Sequence, residues 1–577
     1  MVNNTLNILL GGYSLFKLKK TQKSIFDHDI YLPKHKVRAL DKTWAGPFRH
    51  QILPFIDEEK FRPFYCPDNG RPNVPVGIMT GLSILKEYHS LTDEQVLGSL
   101  EFDIRWQYAF DINVIESHIS QKTLHNFRVL VTTNDKACEI FTEITDKIIN
   151  NAGLSTEKQR LDSTHIISNM ANLSRLQLFV RTIEGFLHRL QRKHPRLYKK
   201  LPSLYDKVYL KRSGYFADVK SSRAKRRLAK SARHLFDLVD RFRVHKQISN
   251  MKSYQLMVRL LEEQCDITDD DTQKIVVLKD PKDISSESLQ SPSDPDATYG
   301  HKGKGYKGSL TETCVKDNPF QVITDVALDG AHASDQKDVI PVIDRLQERN
   351  HKPGELFADA GYGSGENILE AQERGVQLTA PVTVGKPPNE EKMQLSAFKV
   401  SSDYNQVKAC IKGHVPRLCR KTKNGKMFEA IFSGEHCKQC ELLPTCLVKR
   451  RKKGQYRLRY KLKDMATSHR RVEQETVDFK ERYKIRSGIE GTISEADRLT
   501  GLKRAWTRGK QRVTMSVFMK ALAINIKRYI QNEIEKARKG LDATTGNTFL
   551  PSFELINPLK VMLRKIFDPT PLITVVH

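Results

Sequence analysis

Between Tyr306 and Val382 the sequence alternates between two periodicities. "YKGSLTETCV", "FQVITDVAL", "ELFADAGY" and "VQLTAPV" are short runs of strand character, and "QKDVIPVIDRLQER" and "GENILEAQERG" carry helical spacing. Strands lead, and strands then alternate with helices, which specifies a mixed α/β sheet with helices flanking it. An earlier run, "KQRLDSTHIIS", has the same β-branched character with turn signals on either side. It predicts a strand that puts Asp162, Thr164 and Ile166 on one face.

The rest of the chain is organised around this sheet. Residues 1–150 read as an all-α N-terminal domain: "VGIMTGLSILKEY" is helical, Thr92 and Gln95 have capping-box spacing, and "SQKTLHNFRVL" is a basic amphipathic turn. The sheet domain is expected over 155–400. It is interrupted by a basic helical insertion at about 174–265 and by a Ser, Pro and Asp-rich linker or exposed loop at about 279–297. A cysteine-rich segment follows at 405–460, helical periodicity resumes over 465–535, and the tail, 536–577, carries no clear signal.

At 577 residues the chain is too long for one compact core. Its 96 Lys and Arg against 68 Asp and Glu leave a formal charge of +28, which favours a polyanionic partner. Nucleic acid fits better than a membrane, because no run approaches the ~18 apolar residues needed to span a bilayer. "LNILLGGYSLF" has no basic region ahead of it and does not read as a secretory signal. Five of the nine cysteines crowd between 410 and 446, which argues against a disulfide framework and for a reducing compartment.

"GKGYKG" matches G-x-G-x-x-G, but strand-like "SLTET" follows where a dinucleotide fingerprint opens a helix, so a glycine-rich hairpin beside Lys302, Lys304 and Lys307 is expected instead. "CKQCELLPTC" supplies Cys437, Cys440 and Cys446, and either Cys410 or Cys419 could complete a tetrahedral zinc set, with His414 and His436 as substitutes. In "LFADAGYGSG" an apolar run reaches Asp359 and a glycine-rich turn follows at once, placing a carboxylate at the carboxyl end of a strand, where open α/β sheets gather ligands. Asp162, Asp359 and a helical Glu490 would form an all-oxygen site suited to Mg²⁺ or Mn²⁺. Around Glu490, the residues Ile485, Ile489, Ile493 and Ala496 mark a buried stripe, and Tyr483, Arg486 and Glu490 share a face at i, i+3 and i+7. Gly488 and Gly491 flank the acid; each costs about 1 kcal/mol in a helix interior, which implies a close approach by something bulky.

These residues resemble a family, the DDE transposases of bacterial insertion sequences, and within it the group often numbered eleven-eighty-two. "GRPNVPVGIMTGLSILKEYHSLTDEQVLGSLEFDIRWQYAF" with "SQKTLHNFR" is similar to the InsH-type N-terminal domain. "LDSTHI", "DPDATYGHKGKGYKG" and "FADAGYGSGENI" resemble the strands and hairpin of the first two acids, and "YKIRSGIEGTISEADRLTGLKRAWTRG" resembles the third-acid signature Y-x₂-R-x₃-E. One departure stands out: Asp497 occupies the slot where the broader signature often has a Lys, with Arg498, Lys503 and Arg504 nearby. The resemblance implies an RNase H-like catalytic domain in which Asp162, Asp359 and Glu490 hold two Mg²⁺ or Mn²⁺ ions. It also implies that Tyr483 and Arg486 orient the acid or contact DNA.

The implied function is transposition: binding of terminal inverted repeats, metal-dependent cleavage, and joining to target DNA by a homo-oligomer on paired ends. The implied location is a bacterial cytoplasm, in association with the nucleoid. An RNase H-like nuclease or resolvase without strand transfer, and an inactive DNA-binding relic, are the rival readings.

Overall fold

The structure, a computed structural model, describes residues 16–19, 27–66, 69–211, 221–270, 273–382, 391–451 and 454–545. Most of "LNILLGGYSLF", part of the basic insertion (212–220) and the tail beyond 545 therefore lie outside the described residues.

Four helices dominate the described N-terminal region: α1 (Val76–His89), α2 (Asp93–Phe102), α3 (Gln121–Thr133) and α4 (Lys136–Ala152). The chain turns into α2 through a capping box, with Gln95 N–H donating to Thr92 Oγ1 at 3.2 Å and Thr92 N–H donating to Gln95 Oε1 at 2.9 Å.

Strand β1 (Lys158–Ile167) then enters a six-stranded sheet. Next comes the helical insertion, with α5 (Arg175–Lys193), α6 (Ser221–Phe242) and α7 (Lys252–Gln264) packed around their own apolar core. It ends in a hairpin, β2 (Cys265–Asp270) and β3 (Gln273–Leu278), which the helical reading of this region did not contain.

The stretch expected as a linker or exposed loop divides: 280–287 is largely exposed, as expected, whereas the part from Ser288 onward is packed. Leu289, Asp294 and Ala297 are fully buried there, and Asp294 accepts from Tyr306 OH at 2.7 Å and from Gly509 N–H at 2.9 Å. In this second half the Ser, Pro and Asp content serves tight turns around a buried acceptor.

Strands β4 (Thr298–Gly300), β5 (Gly303–Thr313), β6 (Ile323–Gly330), β7 (Glu355–Ala358) and β8 (Gln377–Thr379) complete the sheet. Its order is β4-β5-β1-β7-β8, with β6 also paired to β5. β5 runs antiparallel to β1, β4 and β6, and β7 is parallel to both β1 and β8. Helices α8 (Val339–Glu348) and α9 (Gly365–Glu373) make the parallel connections.

Beyond β8 lie β9 (Lys399–Val400) and β10 (Val407–Ala409), then a small antiparallel sheet of β11 (Leu418–Lys421), β12 (Phe428–Phe432), β13 (Lys449–Arg450) and β14 (Tyr456–Tyr460) with its own core. Four helices follow: α10 (Leu462–Glu473), α11 (Val477–Tyr483), α12 (Gly488–Thr500) and α13 (Lys510–Thr545). α13 carries helix ten residues into the segment where the sequence gave no signal.

Alternation along β1 divides the layers. Leu161 packs with α8, α9 and Ala466 on one face, whereas Ile166 joins the opposite core, where α12, α13 and the N-terminal helices meet the sheet. Asn525 of α13 is fully buried at that junction; its Oδ1 accepts from Ile323 N–H and its Nδ2 donates to Ile323 C=O, both at 2.8 Å. Asn525→Ala removes the side-chain partners of both the N–H and the C=O of one buried residue, Ile323, and each unmet group costs ~1–3 kcal/mol. We expect a loss of about 2–4 kcal/mol, measured by urea unfolding.

Candidate active site

Register sets the first two acids side by side. β1 and β7 pair in parallel through Leu161 and Ala358, and the next residue of each strand is an aspartate. Asp162, in the middle of β1, therefore neighbours Asp359, which directly follows the carboxyl end of β7, at about the 4.8 Å strand spacing. Leu161 and Ala358 face the α8/α9 core, so alternation turns the two aspartates toward the face that carries α12. Backbone amides orient both carboxylates: Ser163 N–H donates to Asp162 Oδ1 at 2.7 Å and Gly361 N–H to Asp359 Oδ1 at 2.8 Å.

Glu490 comes from the first turn of α12. The helix expected to run unbroken through Tyr483, Arg486 and Glu490 is interrupted: α11 ends at Tyr483 and a 3₁₀ turn spans Lys484–Ser487 before α12 starts at Gly488. Ile489, Ile493 and Ala496 are buried as the stripe predicts, and Ile485 is partly exposed. Gly488 meets the expected close neighbour, since a Cβ there would lie 1.9 Å from Arg160 Nη1. Gly491 does not; a Cβ there would face open space.

Arg486 links the three acids. Its Nη2 lies 2.7 Å from Asp162 Oδ2 and 3.8 Å from Asp359 Oδ2, and its Nη1 lies 2.6 Å from Glu490 Oε1. The planar guanidinium suits such bridging, because its donors point in fixed, diverging directions. Burial pushes the Asp162 carboxyl up to about 6; Arg486 and the Ser163 amide oppose this, and the nearby Asp359 and Glu490 charges add to it. Burial also works against the charge on Arg486, but Asp162, Tyr483, Asp359 and Glu490 outweigh it and raise its pKa. The ring of Tyr483 stacks on Phe479 with centroids 5.8 Å apart, and burial raises its phenol.

A second network, not singled out in the sequence, holds α12 in place. Glu312 on β5 is fully buried and contacts Arg160 Nη2 at 2.6 Å, Arg528 Nη1 at 2.6 Å and Thr492 Oγ1 at 2.5 Å. Arg160 also donates to Ile485 C=O at 2.9 Å, in the turn just before Glu490. The available signal was a glutamate inside an otherwise buried strand, together with the glycine at 488.

The basic residues divide. Lys302 is exposed in the β4–β5 turn, but Lys304 is spent on Leu173 C=O at 3.0 Å and tethers the hairpin to the insertion. Arg498, Lys503 and Arg504 lie at the far end of α12, and Asp497 accepts from Lys503 N–H at 2.9 Å, a structural use of the slot where a lysine was expected.

The thiols of Cys410, Cys437, Cys440 and Cys446 line one small cavity of about 30 Å³ with His414 and His436, whose rings stack at 4.3 Å. Cys419 lies elsewhere, its thiol directed at Val407 C=O at 3.5 Å. Burial, then the neighbouring Cys446, Cys410 and Cys440, push the Cys437 thiol up to about 11. Among the described residues no group of three or more His, Cys, Asp or Glu side chains is arranged to hold a metal ion, and no helix is long and apolar enough to cross a membrane.

The raised Asp162 pKa has a sign. A carboxyl at about 6 in the fold and about 3.9 unfolded favours folding fully below pH 4, and that contribution is lost as pH rises through 6. In EDTA, wild type should therefore lose about 2–3 kcal/mol relative to Asp162→Asn between pH 4 and pH 7, read as the difference in urea-unfolding free energies.

A family model described as a transposase DDE domain matches residues 409–530, and one described as a transposase domain (DUF772) matches residues 34–130. The first spans Tyr483, Arg486 and Glu490, and the second spans α1 and α2 with most of α3. No curated protein and no solved structure matches the chain. DDE transposases act on DNA and generally use divalent metal ions. The two matches, to transposase domains near opposite ends of the described chain, indicate a DDE transposase of an insertion sequence.

Proposed function

We propose that this protein binds the ends of its element, cleaves phosphodiester bonds there and joins the freed ends to target DNA. The observation that carries this reading is the convergence of Asp162, Asp359 and Glu490 on one guanidinium beside the sheet. The strand order and directions support an RNase H-like fold for that sheet.

The three acids offer only oxygen donors, the set that hard divalent cations take, and they already gather around a cation. Asp162, Asp359 and Glu490 would hold two Mg²⁺ or Mn²⁺ ions, which supply Lewis-acid activation of the attacking oxygen and stabilise the leaving one. Asp162, half-protonated near pH 6, is drawn to its ionised form by added positive charge. Arg486 keeps the carboxylates converged and would be free to turn to a phosphate once bound cations neutralise them. Lys302, Arg498, Lys503 and Arg504 face solvent wholly or in part and would contact phosphates, making binding strongly salt-dependent. Two or more copies on paired ends, in a bacterial cytoplasm, complete the proposal.

Asp162→Asn, Asp359→Asn and Glu490→Gln should each lower Mg²⁺-dependent cleavage of labelled ends by more than about 100-fold while DNA binding persists. Cleavage near the wild-type rate in any of the three would remove that residue from the site. Joined products with a target plasmid support transposition, whereas hydrolysis without joining favours the nuclease reading.

For the cysteines we propose a structural zinc on Cys410, Cys437, Cys440 and Cys446, because these four thiols and not Cys419 share one cavity. Zinc at about one equivalent per chain is the expected result of metal analysis, falling in Cys437→Ser and unchanged in Cys419→Ser.

A further inference from the structure

Trp506 is the most exposed of the three tryptophans, with 74% of its surface open to solvent. Trp106 is buried, and Trp44 packs against the rings of Phe48, Tyr88, His89 and Trp106. A large apolar ring left in water forgoes ~1.5–3 kcal/mol of burial, so its position calls for a partner.

The loop that presents it is held firmly. Gly501, at φ +64°, ends α12, and its carbonyl accepts from Lys520 Nζ at 2.9 Å. Ile167 N–H donates to Lys503 C=O at 2.8 Å and Ala505 N–H to Ile167 C=O at 3.0 Å, so the loop extends the end of β1 as a short parallel bridge. Asn169 Nδ2 donates to Trp506 C=O at 2.9 Å, and Arg508 Nε donates to Asn169 C=O. The backbone on both sides of Trp506 is thus fixed while its indole stays uncovered.

The surroundings are cationic. Among the described residues Arg498, Lys503, Arg504 and Arg508 have no carboxylate partner, and all but Lys503 are exposed. A self-complementary contact with the same patch of a second copy would set these cations against one another. A rigid exposed indole among phosphate-binding cations is the arrangement that nucleic-acid surfaces use to stack a base while holding the backbone.

We propose that Trp506 is a stacking platform for an unpaired nucleobase of the DNA, with Arg504, Arg508 and Lys503 holding the adjoining phosphates; this rests on the DNA-processing reading above. Stacking tolerates any base, so the site should engage unpaired flanks irrespective of sequence. An acidic protein partner would answer the charge but offers no reason for DNA to reach the indole.

The test uses the full chain in EDTA, with anisotropy of labelled DNA for binding and tryptophan emission for stacking. A duplex with a short unpaired flank should quench emission more than the same duplex fully paired. Trp506→Phe should abolish the quench, assigning it to this residue, and keep most of the affinity; Trp506→Ala should weaken flank binding about tenfold or more. Binding without quenching, equal quenching by the fully paired duplex, or wild-type flank affinity in Trp506→Ala would each overturn the stacking site and leave the transposase reading intact. Absence of any DNA binding by wild type would overturn both.

Discussion

The position of the third acid depends on a carboxylate that never meets solvent. An ionised Glu312 buried alone would cost several kcal/mol, so its site in β5 is tenable only with cations brought to it. Those cations come from two directions, Arg160 from β1 and Arg528 from α13, and Thr492 of α12 adds a hydroxyl. One residue therefore fixes strand, long helix and the helix of Glu490 relative to one another. Arg160 extends the constraint by holding Ile485 C=O and by filling the space where a side chain at 488 would lie. A side chain at 488 would have to displace the Arg160 guanidinium from its partners Glu312 and Ile485 C=O, and glycine there leaves that link intact.

The sheet and its two aspartates were legible because period-2 alternation and a glycine turn after a strand are local signals. β1 and β7 needed only their own residues to be recognised, and the place of Asp359 at a strand end followed from "ADAGYG". Features decided by distant partners were not legible. The break between α11 and α12 depends on an arginine more than three hundred residues earlier. The run around Asp294 resembles a linker in composition, yet Tyr306 and Gly509 draw it inward. Sequence spacing also left Cys410 and Cys419 equivalent; only strand pairing separates them, by placing Cys419 on β11 opposite Ala430, away from the cavity of the other thiols.

The charge distribution separates two tasks that composition merges. An excess of +28 does not crowd the centre of the site, where three carboxylates meet one guanidinium. The loop of Trp506 instead begins at the opposite end of α12, whose 13 residues span about 20 Å at 1.5 Å each. At 3.4 Å per nucleotide that distance is roughly six steps along a DNA strand. On the proposed function, a strand gripped at the loop would reach the acids within the length of one rigid helix. Because α12 is tied to the sheet through Glu312 and to the end of β1 through Ile167, grip and cleavage point would keep a fixed separation. The distance from a held base to the cut phosphate would then be set by the protein frame and not by the sequence of the DNA.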